Sequence, residues 1–219
     1  MKAVRALFFD MDGTLADSLP IAYEMYADFA KKMGLKPSLE EFVYLGGMSQ
    51  QEAVRHLCKK AETALDLQSI LQGYMSGFVE KYKTHIKLYA GAREILEKAQ
   101  ALGYRLSLVT AASRDMAHAL LEKEDLFHFF EDIVTPEGLT KSKPDPAIYQ
   151  KALSLAGVDN HEAIAFEDSK VGMLSARGAG LRTVWMNHTE AEDIELQGLF
   201  DHAFSDWNSV NTWLEDARK

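Results

Sequence analysis

Hydrophobic and polar positions follow two different patterns along the chain. A short apolar run at residues 4–9 predicts a buried strand. Residues 18–84 have helical patterning without a strand signal, whereas helices and strands alternate from about residue 91. The predicted helices of this last region are 92–102, 113–123, 146–156 and 170–178, and its predicted strands are 104–109, 132–135, 163–166 and 181–186.

This change of pattern predicts two domains. Strands that alternate with helices are typical of an α/β fold with a doubly wound parallel sheet. The helical block interrupts that unit directly after its first strand, so we expect an inserted all-helical cap. We predict an α/β catalytic core at residues 1–16 and 86–219 and a helical cap domain at 17–85. Within the cap, Ser38 with Glu41 and Ser49 with Glu52 have the spacing of capping boxes.

Composition narrows the classes of partner. The formal net charge of -9 repels polyphosphate and acidic membrane surfaces, so we expect no nucleic acid and no membrane partner. No run of 18 uncharged apolar residues is present to span a bilayer. The single cysteine, Cys58, fits a reducing compartment. We therefore expect a cytoplasmic protein, and we expect it to be a monomer.

Charged and hydroxyl side chains follow the predicted strands. Because the carboxyl ends of parallel strands meet at one edge of a sheet, we expect these side chains to lie together. Pro144 favours an extended backbone at the residue before it, which directs that residue's ammonium across the same edge. The residues concerned are Asp10, Asp12, Thr110, Lys143, Glu167 and Asp168.

The chemistry of such a cluster is restrictive. Carboxylates within a few ångströms of one another repel by about 4 kcal/mol for each close pair at an effective dielectric near 20, so they need a cation. Oxygen ligands without histidine or cysteine favour a hard ion, and a site with room for water and a phosphate oxygen suits Mg²⁺. One aspartate can then attack phosphorus while another, two residues on, handles the proton.

Four motifs in this order resemble those of the haloacid dehalogenase superfamily, in the subgroup whose helical cap follows the first motif. They are Asp10-Met11-Asp12-Gly13-Thr14, Thr110, Lys143 and Glu167-Asp168, and the resemblance covers nearly the whole chain. It implies a Rossmann-like core in which Asp10 is the nucleophile that becomes an aspartyl phosphate. It also implies that Asp12 protonates the leaving oxygen and then activates water.

The resemblance assigns further residues to phosphate binding. It implies that Thr110 and the backbone N–H groups of Met11, Asp12 and Ala111 bind the transferring phosphoryl group. Lys143 would neutralise charge between nucleophile and phosphate.

The resemblance also implies a Mg²⁺ site. Asp10, the backbone carbonyl of Asp12 and Asp168 would hold the ion, with Glu167 as a further ligand or as a group that orients one. In the cap, Gln50 and Arg55 are candidates for contacting the leaving group.

Within the superfamily, Asp12 indicates phosphoryl transfer, because dehalogenases lack this aspartate and phosphonatases have a small residue there. We expect a Mg²⁺-dependent phosphatase that hydrolyses a small phosphomonoester, such as a phosphosugar, through an aspartyl phosphate. A phosphohexomutase similar to β-phosphoglucomutase remains an alternative. It is less favoured because those mutases usually place a histidine on the first cap helix, where this chain has Ala22.

A receiver-type signalling protein is a remote alternative. Such proteins also use a phosphorylated aspartate with Mg²⁺, a threonine and a lysine. They carry that aspartate on a middle strand and are much shorter, whereas here it follows the first strand and precedes a cap. The cap has a use in sequestering a small substrate and none in a receiver.

Overall fold

The computed structural model describes residues 3–46, 50–62, 67–188 and 196–217. Its strands are β1 (Ala6–Phe9), β2 (Ala16–Asp17), β3 (Lys87–Leu88), β4 (Arg105–Val109), β5 (Asp132–Val134), β6 (Ala163–Glu167), β7 (Arg182–Met186) and β8 (His202–Phe204). Its α-helices are α1 (Leu19–Lys32), α2 (Leu39–Gly46), α3 (Gln50–Lys60), α4 (Leu67–Thr84), α5 (Ala92–Ala101), α6 (Arg114–Lys123), α7 (Ala147–Ala156), α8 (Lys170–Gly178) and α9 (Trp207–Ala217). Within these ranges, no helix combines the length and the apolar character needed to cross a bilayer.

The chain forms two compact units. One unit contains the chain up to Asp17 and again from Lys87 onward, and the other contains Ser18–Ile86. Strands β2 and β3 pair antiparallel within the first unit, with Ala16 opposite Leu88. This pairing therefore holds close together the two points at which the chain leaves and re-enters the first unit.

The first unit is built on a six-stranded sheet with the order β5-β4-β1-β6-β7-β8, in which all neighbours run parallel. This confirms the α/β fold predicted from the alternating pattern. Strand β1 lies between β4 and β6, and Phe9 is in register with Leu108 and with Phe166. The carboxyl ends of three central strands consequently coincide.

Helices cover both faces of this sheet, and successive side chains of β1 point to opposite faces. Phe8 belongs to the core formed with Ile148 and Tyr149 of α7, whose ring lies 6.5 Å from that of Phe8. Phe9 stacks on Phe166 with ring centroids 4.9 Å apart, and Trp207 of α9 lies against both rings. Strand β1 is buried throughout, so it anchors both layers of the core.

The second unit contains helices α1–α4. Its core includes Tyr26, whose hydroxyl donates to Oε2 of Glu41 over 2.8 Å, while Lys60 pairs with Oε1 of the same carboxylate. The N–H of Glu41 donates to Oγ of Ser38 over 3.2 Å, which is one of the two bonds of the first predicted capping box, but the N–H of Ser38 donates to the hydroxyl of Tyr26 over 3.1 Å. Ser49, of the second predicted box, lies outside the described residues.

Two elements near the end of the first unit were not predicted from the sequence. Strand β8 is an edge strand of only three residues with its first two exposed, so it carries no apolar run. Helix α9 does carry a signal, because Trp207, Val210 and Leu214 recur at helical spacing and are all buried. The apolar pattern could therefore have revealed α9, whereas the sequence contains no comparable signal for β8.

At the edge of the sheet where the carboxyl ends of the strands lie, two glycines allow the backbone to come close to carboxylate side chains. Gly13 has a φ of 75°, and a Cβ there would overlap the side chain of Asp168. A Cβ on Gly172, in the first turns of α8, would overlap the side chain of Glu167. Helix α8 can therefore begin beside the end of β6 only because residue 172 has no side chain.

Replacing Phe9 with alanine should lower the free energy of unfolding by about 3–5 kcal/mol, because it removes a fully buried ring from the central strand. Urea denaturation of the variant beside the wild type measures this. Leu39→Ala, at a residue 65% exposed on α2, is the control and should change the value by less than about 0.5 kcal/mol. Equal effects of the two substitutions would contradict the burial described for β1.

Gly172→Ala should lower the free energy of unfolding by about 1–3 kcal/mol, because the new methyl group overlaps the Glu167 carboxylate. Gly73→Ala is the matched control, since residue 73 is also within a helix and a Cβ there meets nothing within 4 Å. Helix propensity alone should make that control more stable, by up to about 1 kcal/mol. If Gly172→Ala is stabilised as well, the close approach of α8 to Glu167 is wrong.

Candidate active site

The carboxyl ends of β1, β4 and β6 bring four of the predicted site residues together. Asp10 follows β1, and its N–H donates to the carbonyl of Phe166 over 3.0 Å. Thr110 follows β4, and its N–H donates to the carbonyl of Val134 over 3.0 Å. Glu167 is the last residue of β6, and Asp168 comes next. The parallel register alone places these groups at one edge of the sheet.

Lys143 reaches this edge from the loop before α7. Its Nζ donates to Oδ1 of Asp10 and to Oε1 of Glu167, each over 2.6 Å, and to the carbonyl of Val109 over 3.1 Å. Only 4% of the lysine side chain is exposed. The ammonium is thus a buried cation held between two buried carboxylates.

Burial governs the protonation of these groups. Loss of water raises the pKa of Asp10, although Lys143 and the backbone N–H groups of Met11 and Asp12 oppose this rise. Burial likewise raises the pKa of Glu167 to about 7, and burial together with the charges of Asp10 and Glu167 raises the pKa of Asp168 well above its usual range. One ammonium does not balance three carboxylates in this confined space.

Burial alone would lower the pKa of Lys143, but the facing carboxylates outweigh it and raise the pKa above its ordinary value. The lysine is therefore charged at neutral pH, and its charge helps to keep Asp10 ionised.

The excess of negative charge fits a metal ion. Asp10, Glu167 and Asp168 can each offer a carboxylate oxygen such that the three atoms lie within 4.8 Å of one another. Oε2 of Glu167 is buried and has no hydrogen-bond partner among the described residues. The donors are all oxygens, which suits a hard divalent cation. Asp12 is half-buried, and its carboxylate does not belong to this cluster.

The groups predicted to bind phosphate have other partners in this structure. Oγ1 of Thr110 accepts a hydrogen bond from the N–H of Ala112 over 3.0 Å and is buried. The backbone N–H groups of Met11 and Asp12 lower the pKa of the Asp10 carboxyl, against the effect of burial, and their binding of phosphate stays a prediction. Ala111 is exposed, immediately after Thr110.

The two cap candidates, Gln50 and Arg55, belong to α3 in the second unit. Arg55 is exposed, and the side chain of Gln50 lies outside the described part of the chain. Their contact with a leaving group stays a prediction.

One site residue was missed by the sequence analysis. The hydroxyl of Tyr149, on α7, donates to Oε1 of Glu167, and the Nζ of Lys143 lies 5.2 Å from the centre of the Tyr149 ring. A signal for it was present in the sequence, because Tyr149 falls on the apolar face of the predicted helix 146–156. A tyrosine that is buried in this way needs a partner for its hydroxyl.

Comparison with known proteins agrees with this geometry. The family profile described as haloacid dehalogenase-like hydrolase matches residues 7–186. The phosphorylated carbohydrates phosphatase of Thermotoga maritima is 30% identical over 187 residues, which cover 83% of this chain and 84% of that protein. The phosphoglycolate phosphatase of Pseudomonas savastanoi pv. phaseolicola is 26% identical over 193 residues, covering 85% and 71% of the two chains.

A solved structure has the same fold. The crystal structure of CbbY from Rhodobacter sphaeroides in complex with phosphate superposes with a TM-score of 0.82 at 25% sequence identity, covering 94% of this chain and 96% of that one. With the profile match, these similarities show that the chain belongs to the haloacid dehalogenase-like hydrolase family and is a phosphatase-type enzyme of its phosphoglycolate phosphatase, CbbY and β-phosphoglucomutase subgroup.

Proposed function

We propose that the protein is a Mg²⁺-dependent phosphatase that hydrolyses a small phosphomonoester, such as a phosphosugar, by phosphoryl transfer to Asp10. The observation that carries this proposal is the buried Lys143, which binds Oδ1 of Asp10 beside the carboxylates of Glu167 and Asp168. A buried carboxylate whose negative charge is stabilised by a fixed cation is a suitable nucleophile.

Asp12 is the proposed acid and base. It lies two residues beyond Asp10 and is half-buried, so it can exchange protons with solvent while Asp10 is shielded. In this role it protonates the leaving oxygen and later accepts a proton from the attacking water. Thr110, which follows β4, is the proposed hydroxyl donor to the phosphoryl group. It can keep its contact with the N–H of Ala112, because a hydroxyl can accept one hydrogen bond while it donates another.

The proposed ligands of Mg²⁺ are Asp10, Asp168, the backbone carbonyl of Asp12 and Glu167. When bound, the ion would neutralise the excess of carboxylate charge and polarise the phosphate ester. Lys143 stabilises the charge of the transferring phosphoryl group, because its ammonium is fixed at Asp10 before substrate binds.

The substrate class is proposed from the relatives and from the insertion. One relative is named as acting on phosphorylated carbohydrates and another on phosphoglycolate, and the CbbY structure contains phosphate. The unit Ser18–Ile86 is the proposed cap, which would exclude water from a small bound substrate. The cytoplasmic location and monomeric state expected from the sequence stay predictions.

Asp10→Asn should reduce phosphate release by about 10³-fold or more, because an amide is a poor nucleophile and cannot form the aspartyl phosphate. Colorimetric phosphate assay with a panel of small phosphomonoesters and Mg²⁺ measures this. Asp125→Asn is the control, since it removes the charge of an aspartate whose side chain is 93% exposed. The proposal fails if the Asp10 variant keeps the activity of this control.

We expect the enzyme to hydrolyse hexose phosphates and not to isomerise them. We expect free phosphate and free sugar from a hexose 1-phosphate, and no hexose 6-phosphate, because Ala22 stands where related mutases usually carry a histidine. Chromatography of the sugar products with excess Mg²⁺ and with chelator tests this. A hexose 6-phosphate that accumulates without phosphate release would identify a mutase instead.

A further inference from the structure

We infer that Tyr149 is a positioning residue of this site, whose hydroxyl orients the Glu167 carboxylate and whose ring supports the Lys143 ammonium. The inference deepens the proposed function and rests on it. Tyr149 is not part of the four motifs by which the site is recognised, and it lies on a helix instead of at a strand end.

The burial of Tyr149 shows that its hydroxyl has a specific partner. The side chain is completely buried between α7 and the sheet, with its ring 6.5 Å from that of Phe8. The hydroxyl donates to Oε1 of Glu167. An ionised carboxylate only accepts hydrogen bonds, so the phenol is the donor in this pair.

The orientation of Glu167 depends on few contacts. Oε1 accepts from Tyr149 and from Nζ of Lys143, the latter over 2.6 Å. Oε2 has no hydrogen-bond partner among the described residues and packs against Gly172. Removal of the phenol hydroxyl would therefore leave Lys143 as the single described hydrogen-bond donor to this carboxylate.

The ring of Tyr149 lies near Lys143, the partner of Glu167 in the ion pair. The Nζ of Lys143 lies 5.2 Å from the ring centroid, within the range of a cation–π interaction. The ammonium thus has carboxylates of Asp10 and Glu167 as hydrogen-bond acceptors and an aromatic ring as a further favourable surface. One residue of α7 contacts both members of the Lys143–Glu167 pair.

This arrangement predicts an effect on metal binding. Glu167 belongs to the three-carboxylate cluster that could hold a divalent ion. Residues that orient a ligand through a hydrogen bond typically change metal affinity or activity by about 10–100-fold when they are removed. Loss of the Tyr149 hydroxyl should therefore weaken Mg²⁺ binding, although the hydroxyl itself is not a proposed ligand.

The chain offers a matched control in Tyr104. This tyrosine is also buried in the first unit, and its hydroxyl donates to the carbonyl of Leu214 over 3.2 Å. Phenylalanine at either position removes one oxygen and keeps the ring. The two substitutions should cost similar stability, so a difference between them in metal binding or turnover does not come from stability.

The test compares Tyr149→Phe with Tyr104→Phe and the wild type by two readouts. In titration calorimetry with Mg²⁺ alone, we expect the dissociation constant to rise about 10-fold in Tyr149→Phe and to stay unchanged in Tyr104→Phe. In phosphate release at saturating Mg²⁺, we expect kcat to fall about 10-fold in Tyr149→Phe, with the KM of the phosphomonoester changed less than about 3-fold.

Equal Mg²⁺ affinity and equal kcat in the two variants would overturn the inference and leave Tyr149 a packing residue. If the wild type binds Mg²⁺ but releases phosphate from no compound, the proposed function fails, while calorimetry still decides the role of Tyr149. Absence of Mg²⁺ binding by the wild type would contradict both.

Discussion

The buried ion pair of Lys143 with Asp10 and Glu167 is the interaction on which the rest of the site depends. A lysine removed from water is costly unless every proton has a partner, and the same holds for a buried carboxylate. Here Lys143 has three hydrogen-bond acceptors, but Oε2 of Glu167 has no hydrogen-bond partner among the described residues, and with Asp168 the carboxylates outnumber the ammonium. That imbalance supports the proposed Mg²⁺, which would offset the excess carboxylate charge and the charge of a phosphate ester.

The fold supplies this ion pair through three constraints. The parallel register of β1 with β4 and β6 aligns the residues that follow them, so carboxylates and a hydroxyl meet at one edge. Gly172 allows α8 to start against the Glu167 carboxylate. Helix α7 contributes Tyr149, whose hydroxyl donates to the Glu167 carboxylate and whose ring lies beside the Lys143 ammonium. Because strands, glycine and helix fix these groups without a substrate, the site would be organised in advance for the charge that develops at phosphorus in the proposed reaction.

Much of this could be predicted from the sequence, for a physical reason. Buried parallel strands such as β1 are continuous apolar runs, and ligands gather at their carboxyl ends, so the fold and the grouping of Asp10, Lys143 and Glu167 followed from pattern alone. Strand β8 was missed because an exposed edge strand has no such run. The apolar face of α7 indicated that Tyr149 is buried, but the partner of its hydroxyl, Glu167, is set by a tertiary contact that the local sequence does not specify. Binding of phosphate by the N–H groups of Met11 and Asp12 stays a prediction, because the direction of a backbone donor depends on turn geometry that local sequence does not specify.

In the proposed mechanism, Asp10, held by Lys143, carries the phosphoryl group during turnover. Mass spectrometry of enzyme quenched in acid during steady-state hydrolysis tests it most directly, with borohydride reduction to convert any aspartyl phosphate to homoserine before digestion. We expect homoserine at residue 10 and at no other aspartate, and we expect its formation to require both substrate and Mg²⁺. An unmodified Asp10 in enzyme that is turning over rapidly, or a phosphoryl group trapped on another residue, would contradict it.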